Sequence, residues 1–211
     1  MAAGNPPPGL AMDIADTLTA TYIPTMMFVA RNQANATYAG KYRYISPPNS
    51  TVLPPSARNG TNSTASPGMF FPPNATVSLT ISTSTDKPGL GVYDWVSNGV
   101  DMAMIAVAIG SNITKDYFDK IKPSVRLYPT TFEEKLPDGK GKRVAFKAVF
   151  EDVGLPEKKA TMSTDCATWV GVTGVVYGKK PLDMFIFDFD ESGRVVSLEV
   201  AALRVRMDKI S

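Results

Sequence analysis

Residues 184–200 are Met-Phe-Ile-Phe-Asp-Phe-Asp-Glu-Ser-Gly-Arg-Val-Val-Ser-Leu-Glu-Val, and this stretch decides the fold. Its first half places a phenylalanine at every second position, at Phe185, Phe187 and Phe189. Its second half continues the alternation with Val196, Leu198 and Val200. This period of two is typical of half-buried β-strands, and Asp-Glu-Ser-Gly at 190–193 is typical of a turn. The stretch therefore predicts a β-hairpin with one apolar face.

Strand-like segments recur along most of the chain. A second hairpin is predicted for 77–81 and 90–96 around a turn at 86–89, and single strands for 41–45, 125–128, 144–150, 169–177 and 203–207. Roughly eight strands with few helices indicate a mainly β protein, either an antiparallel barrel or a β-sandwich. We favour the barrel, because closure removes unpaired edges and eight strands can fill their own interior. A cone-shaped α+β barrel is a further alternative.

A long helix is predicted in front of the strands, at 12–31. Apolar residues recur at helical spacing on one face, at Ile14, Leu18, Tyr22, Met26 and Val29. Pro24 is expected to interrupt or kink this helix. An apolar helix face needs a cover, which either the following domain or a domain outside this chain could supply. Residues 98–109 predict a short helix, with a strand as the alternative.

The composition excludes several kinds of chemistry. The chain has no histidine, so a Ser–His–Asp or Cys–His catalytic set cannot form within it. Its one cysteine, Cys166, is expected to be buried or bonded to a segment outside the chain. The 22 basic and 20 acidic residues nearly balance, so neither a nucleic acid nor a membrane is predicted as a partner. No cofactor and no metal is predicted.

The glycosylation sequons point to the secretory pathway. Asn-x-Ser/Thr occurs six times, at Asn35, Asn49, Asn59, Asn62, Asn74 and Asn112. Residues 1–11 resemble a flexible tail rather than a signal peptide, because they have neither a basic start nor an apolar stretch. We therefore expect an extracellular protein whose signal peptide lies upstream, in a longer precursor.

Two motifs suggest catalysis at first sight. Ser84-Thr-Asp-Lys87 matches the Ser-x-x-Lys motif of β-lactamases, but Pro88 follows at once and argues for a turn rather than the helix this motif requires. Asp188, Asp190 and Glu191 lie near Asp183 in the sequence and suggest a metal or glycosidase site. Asp188 and Asp190 share the strand face opposite the phenylalanines, so we favour a solvent-facing strand that leads into an acidic turn. No residue is therefore predicted to be catalytic.

The aromatic residues offer one alternative function. If the barrel were hollow, five of them could line a cavity for an apolar small molecule, namely Tyr42, Tyr93, Trp95, Trp169 and Phe187. Core packing is the favoured interpretation, because large aromatic side chains usually fill protein interiors.

Several segments together resemble a known family. Asn32-Gln-Ala-Asn-Ala-Thr-Tyr-Ala-Gly-Lys-Tyr42 resembles the start of the lipocalin-like C-terminal domain of β-lactamase-like serine hydrolases. Further segments are similar to its fungal branch in order and spacing: 87–102, 125–130, 144–152, Cys166-Ala-Thr-Trp169, 177–183 and 189–195.

The resemblance implies a domain plan and a role. Residues 12–37 would be the last helix of an upstream catalytic domain or the connector to it. Residues 38–211 would form a lipocalin-like barrel with a disordered-like loop at 46–73. The family's catalytic serine, lysine and tyrosine lie in the upstream domain, and none of them maps onto this sequence. The expected role is a non-catalytic accessory domain that packs on the hydrolase, with homo-oligomerisation possible. A stand-alone binding module and a small cone-shaped-barrel enzyme are the competing hypotheses.

Overall fold

The computed structural model describes residues 10–46, 74–85, 87–111, 120–136, 139–154, 176–177 and 180–211. The helical segments are α1 (Leu10–Thr17), a π-helical turn (Leu18–Tyr22), α2 (Ile23–Tyr38) and α3 (Met102–Ser111). The strands are β1 (Gly40–Ile45), β2 (Thr76–Thr83), β3 (Leu90–Ser97), β4 (Val100–Asp101), β5 (Pro123–Lys135), β6 (Lys142–Asp152), β7 (Val176–Tyr177), β8 (Lys180–Pro181), β9 (Met184–Phe189), β10 (Val195–Val200) and β11 (Val205–Lys209).

Eight antiparallel strands close into a barrel. The order around the barrel is β3-β2-β1-β11-β10-β9-β6-β5, and β5 pairs back onto β3. The two-residue strand β4 is an appendage on β3, and β7 with β8 forms a separate two-stranded ladder. The prediction of a mainly β, antiparallel barrel of about eight strands with an N-terminal helix is confirmed.

The predicted hairpin at 184–200 is β9 and β10. Asp190 Oδ1 closes the turn by accepting hydrogen bonds from the backbone N–H groups of Ser192 and Arg194, and Gly193 takes the positive φ of 77°. One detail of the prediction is wrong. The register shifts between Val195 and Ser197, which turns Val195 into the core and leaves Val196 38% exposed.

Side chains fill the barrel interior. Its largest fully buried residues are Trp95, Tyr42, Phe185, Phe187, Leu79, Ile81, Leu127, Leu198 and Met207. The aromatic rings meet edge to face, with centroids 5.4 Å apart for Trp95 and Phe185 and 5.1 Å apart for Phe146 and Phe187. The alternation of apolar side chains along each strand thus produces a packed core.

Helices contact the two ends of the barrel. α3 packs against β3, β5 and β6 and contributes Ala106 and Val107 to the core. A helix is therefore confirmed within 98–109, although it begins only at Met102, after the residues of β4. At the other end, α2 leads directly into β1. Tyr38, expected to begin the strands, is instead the last residue of α2, and Gly40 begins β1.

The N-terminal helix does not break at Pro24. The π-helical turn ends at Tyr22, two residues before Pro24, and the N–H of Ile23 donates to the carbonyl of Leu18, five residues back. A proline cannot donate to the carbonyl four residues back, and its ring crowds that carbonyl. The wider π turn relieves this crowding, so the helix continues through Pro24 to Tyr38.

Candidate docking surface on the N-terminal helix

The apolar face of the N-terminal helix lacks cover from the described part of the chain. We call Ile14, Leu18, Tyr22, Met26 and Val29 the helix face; each of them is between 47% and 57% exposed. Neighbouring Ile23, Met27 and Phe28 are similarly exposed. So many exposed large apolar side chains on one element are unusual for a surface that stays in contact with water, and they are typical of an interaction site.

The last two turns of the same helix are held firmly against the barrel. The Tyr38 ring lies edge to face with Phe187, Phe146 and Phe189, at centroid distances of 4.9, 5.1 and 5.8 Å. The Tyr42 hydroxyl donates to the Tyr38 carbonyl at 2.7 Å. The Tyr38 side chain therefore closes this end of the barrel, and we call it the plug. Burial raises the pKa of its phenol.

Two polar contacts fix the helix beside the plug. Asn35 Oδ1 accepts a hydrogen bond from the Thr83 hydroxyl at 3.1 Å, and Lys209 Nζ donates to the Thr37 carbonyl at 3.3 Å. We call the contacts of Asn35, Thr37 and Tyr38 with the barrel the anchor, and they were not predicted from the sequence. A glycine two residues after a tyrosine at the end of a helical pattern is the signal that could have located the helix end, because glycine favours such ends.

A pocket of about 540 Å³ opens at the junction of α2 and the barrel rim. We call it the junction pocket. One wall is helical, from Met27 to Tyr38, and the other includes Leu90, Leu127 and Phe189.

The five aromatic residues considered as cavity lining do not share one environment. Tyr42, Trp95 and Phe187 are fully buried in the packed interior. Tyr93 is 40% exposed, and Arg126 Cζ stands 6.0 Å from its ring centroid. Trp169 lies outside the described residues, as does Cys166.

The residues of the two catalytic-looking motifs are not brought together into a site. Ser84 and Lys87 lie in the connection between β2 and β3, where Asp86 falls outside the described residues. Asp183 lies just before β9 and Asp188 near its end, and the two carboxylates have different partners. Lys147 Nζ lies 3.2 Å from Asp183 Oδ2, an ion pair without hydrogen-bond geometry.

Asp188 is not solvent-facing, contrary to the sequence-based interpretation. It points away from the phenylalanine core as expected, yet it is only 1% exposed. Arg143 Nε and Arg206 Nη2 cover it at 3.1 and 3.3 Å, and the Ser197 hydroxyl donates to it at 3.2 Å. Asp190 lies in the turn between β9 and β10. A hydrogen bond from the Ser192 hydroxyl holds the pKa of the Asp190 carboxyl below its usual range.

Two sequons fall on described residues. Asn74 is exposed just before β2 with a φ of 60°, whereas Asn35 lies within α2 and bonds Thr83. Asn49, Asn59, Asn62 and Asn112 lie outside the described residues.

In the described part of the chain, no group of three or more acidic or cysteine side chains is placed to hold a metal. None of the described helices has the length and apolarity to cross a membrane.

Comparisons with known proteins identify the family. No curated protein and no solved structure matches the chain. A family model described as the C-terminal domain of beta-lactamase-like-like proteins matches residues 30–211. The match covers Asn35, Tyr38, all the strands of the barrel and every lining residue of the junction pocket named above except Met27, and it begins where the helix face ends. The chain therefore belongs to the family of C-terminal domains of β-lactamase-like proteins.

Proposed function

We propose that this chain is a non-catalytic accessory domain of a secreted, fungal β-lactamase-like serine hydrolase, and that it docks on the hydrolase domain through its helix face. The family assignment supports the accessory role, because the family is defined as the C-terminal part of larger proteins. The missing histidine and the position of Ser84 in a strand connection support a role without catalysis.

One observation carries the docking proposal. The family match begins at residue 30, and the helix face ends at Val29, so the uncovered residues lie immediately outside the matched domain. Residues 31–38, inside the match, are anchored on the barrel through Asn35 and Tyr38. The helix therefore has one part that belongs to the barrel and one part whose apolar residues are left uncovered by the described residues.

The physical gain from docking is substantial. Fully burying an exposed large apolar side chain contributes about 1.5–3 kcal/mol, and these side chains are already half covered by their own helix. Burying the rest contributes roughly 1 kcal/mol per residue, which for five residues makes about 5 kcal/mol before the entropic cost of association. Covalent connection to the hydrolase domain lowers that cost, because the partner is held at high effective concentration.

Extracellular location is supported by the sequons. Six of them in one chain are more than the roughly one or two expected by chance. Exposed Asn74 lies just before β2, whereas the opposite end of β2, at Thr83, contacts Asn35 of α2.

Docking is tested by binding between the chain and the separately expressed hydrolase domain. The Leu18→Lys/Met26→Lys double variant is expected to weaken binding at least tenfold, because it places two charges in an apolar interface. The matched control is Ala20→Lys, which places the same charge on the opposite side of the same helix and should bind normally. Equal binding by the double variant and the control would reject the helix face as the docking surface.

Catalysis is tested separately, by turnover of nitrocefin and of a p-nitrophenyl ester by the isolated chain. We expect no turnover above that of the Ser84→Ala variant. Robust hydrolysis that disappears in Ser84→Ala would show that the chain is an enzyme and contradict the accessory role.

A further inference from the structure

The junction pocket differs from the barrel interior because it is open and unfilled. Its volume of about 540 Å³ lies within the range of small-molecule sites, roughly 300–1,000 Å³. Tyr38, Phe146 and Phe189 form its aromatic floor, and their rings are already locked against one another. A flat apolar molecule could therefore enter without disturbing the core.

The charged residues that line the pocket in the described part of the chain are positive. Among the described residues, the lining includes two cations, Arg31 from α2 and Lys142 from β6, and no carboxylate. Glu133 offsets part of the charge of Lys142, since their side chains form an ion pair at 3.1 Å. Lys142 Nζ also stands 5.5 Å from the Phe189 ring centroid. Of the two cations, Arg31 is the better candidate for an anionic group, because Lys142 is paired with Glu133 and a guanidinium binds carboxylates and phosphates through two parallel hydrogen bonds.

We propose that the junction pocket binds a small amphipathic anion, with an apolar or aromatic body on the Tyr38–Phe146–Phe189 floor and its anionic group on Arg31. This site is distinct from the packed barrel interior and from the helix face. The proposal does not depend on docking, because it is argued only from described residues of this chain.

The binding experiment uses the whole chain and 1-anilinonaphthalene-8-sulfonate, an aromatic probe with one anionic group. Its fluorescence is titrated in the Leu18→Lys/Met26→Lys background, which removes binding to the helix face. The uncharged probe N-phenyl-1-naphthylamine measures the contribution of the apolar body alone. We expect one saturable site for the anionic probe and binding about tenfold weaker for the uncharged one.

Variants locate the site and its charge. Ala30→Trp and Pro129→Trp each fill the pocket from opposite walls, and both are expected to abolish saturable binding while leaving the melting temperature within a few degrees. Arg31→Gln should weaken the anionic probe about tenfold and leave the uncharged probe unchanged. Arg31→Lys should restore part of that loss.

Two results would overturn the proposal. Saturable binding that survives both filling variants would place the site elsewhere. Equal affinity for the two probes, together with no effect of Arg31→Gln, would show that the anionic group of the probe does not contribute to binding. Either outcome leaves the docking proposal untouched, because docking is measured with a different partner and different variants.

Discussion

The barrel interior and the N-terminal helix are built from similar residues and have opposite environments. Phe187, Leu198 and Met207 are completely buried in the barrel, whereas Phe28, Leu18 and Met26 are between 47% and 61% exposed on the helix. Residue type therefore does not explain the difference. The barrel closes on itself and supplies its own cover, while a single helix cannot bury its apolar face alone. Among the described residues, the N-terminal helix is the element with the most exposed large apolar side chains.

The largest expected contrast comes from one substitution made in both regions. Phe187→Ala removes a ring that contacts Tyr38, Tyr42 and Phe146, and it should cost about 3–5 kcal/mol of unfolding free energy. Phe28→Ala on the helix should change stability by less than about 0.5 kcal/mol. Denaturant unfolding of both variants measures the difference. Equal losses would mean that the helix is packed into the same cooperative unit as the core.

A second pair tests where along the helix the anchoring begins. Tyr38→Ala removes the plug with its three aromatic contacts and should cost about 2 kcal/mol. Tyr22→Ala, the same change sixteen residues earlier in the sequence, should be nearly neutral, because its side chain is 57% exposed. Thermal unfolding followed by circular dichroism compares the two. A larger loss in Tyr22→Ala would contradict the division of the helix.

A third test concerns the outer surface of the barrel. Asp188→Ala leaves Arg143 and Arg206 without their shared carboxylate and should cost about 1–2 kcal/mol, because both arginines can still reach water. The double-mutant cycle with Arg143→Ala should give a coupling energy of about 1 kcal/mol. A coupling energy of zero would show that the ion pair adds nothing to the barrel.

The smallest effect is a dependence on alkaline pH. Burial raises the pKa of the Tyr38 and Tyr42 phenols above the ordinary value of 10.0, so the folded state retains protons that the unfolded state releases. Their contribution to stability is complete below pH 10 and is lost as the pH rises further. Tyr42→Phe should flatten this decline, although it also removes the hydrogen bond to Tyr38. Urea unfolding between pH 9 and pH 11 measures the free energy of unfolding at each pH. If this free energy falls as steeply in Tyr42→Phe as in the unaltered chain, the assignment is contradicted.

Much of the barrel could be predicted from the sequence, because the patterns that specify its strands and turns involve residues that are close together in the sequence. The alternation of Phe185, Phe187 and Phe189 directly specifies which side chains face inward, and Gly193 marks the turn. The bulge at Val195 could not be predicted, because it depends on how β10 meets β9 around the closed barrel.

The candidate sites were harder to predict, because they depend on contacts distant in sequence. The cover over Asp188 requires arginines from β6 and β11, and the plug requires Tyr38 to meet strands more than 100 residues later. The junction pocket likewise combines α2 with β3, β5, β6 and β9. By contrast, helical spacing alone identified the helix face, since the period of 3.6 residues places its members together before anything is known of their cover.

The central claim is that the helix face is covered by the hydrolase domain that precedes this chain in the proposed full-length protein. Maleimide labelling of Leu18→Cys, in a Cys166→Ser background, measures that cover directly. Labelling should be fast in the isolated chain and at least tenfold slower when the preceding domain is attached. Ala20→Cys, on the opposite side of the helix, should react at similar rates in both proteins. Equally fast labelling of Leu18→Cys with and without the preceding domain would contradict the account.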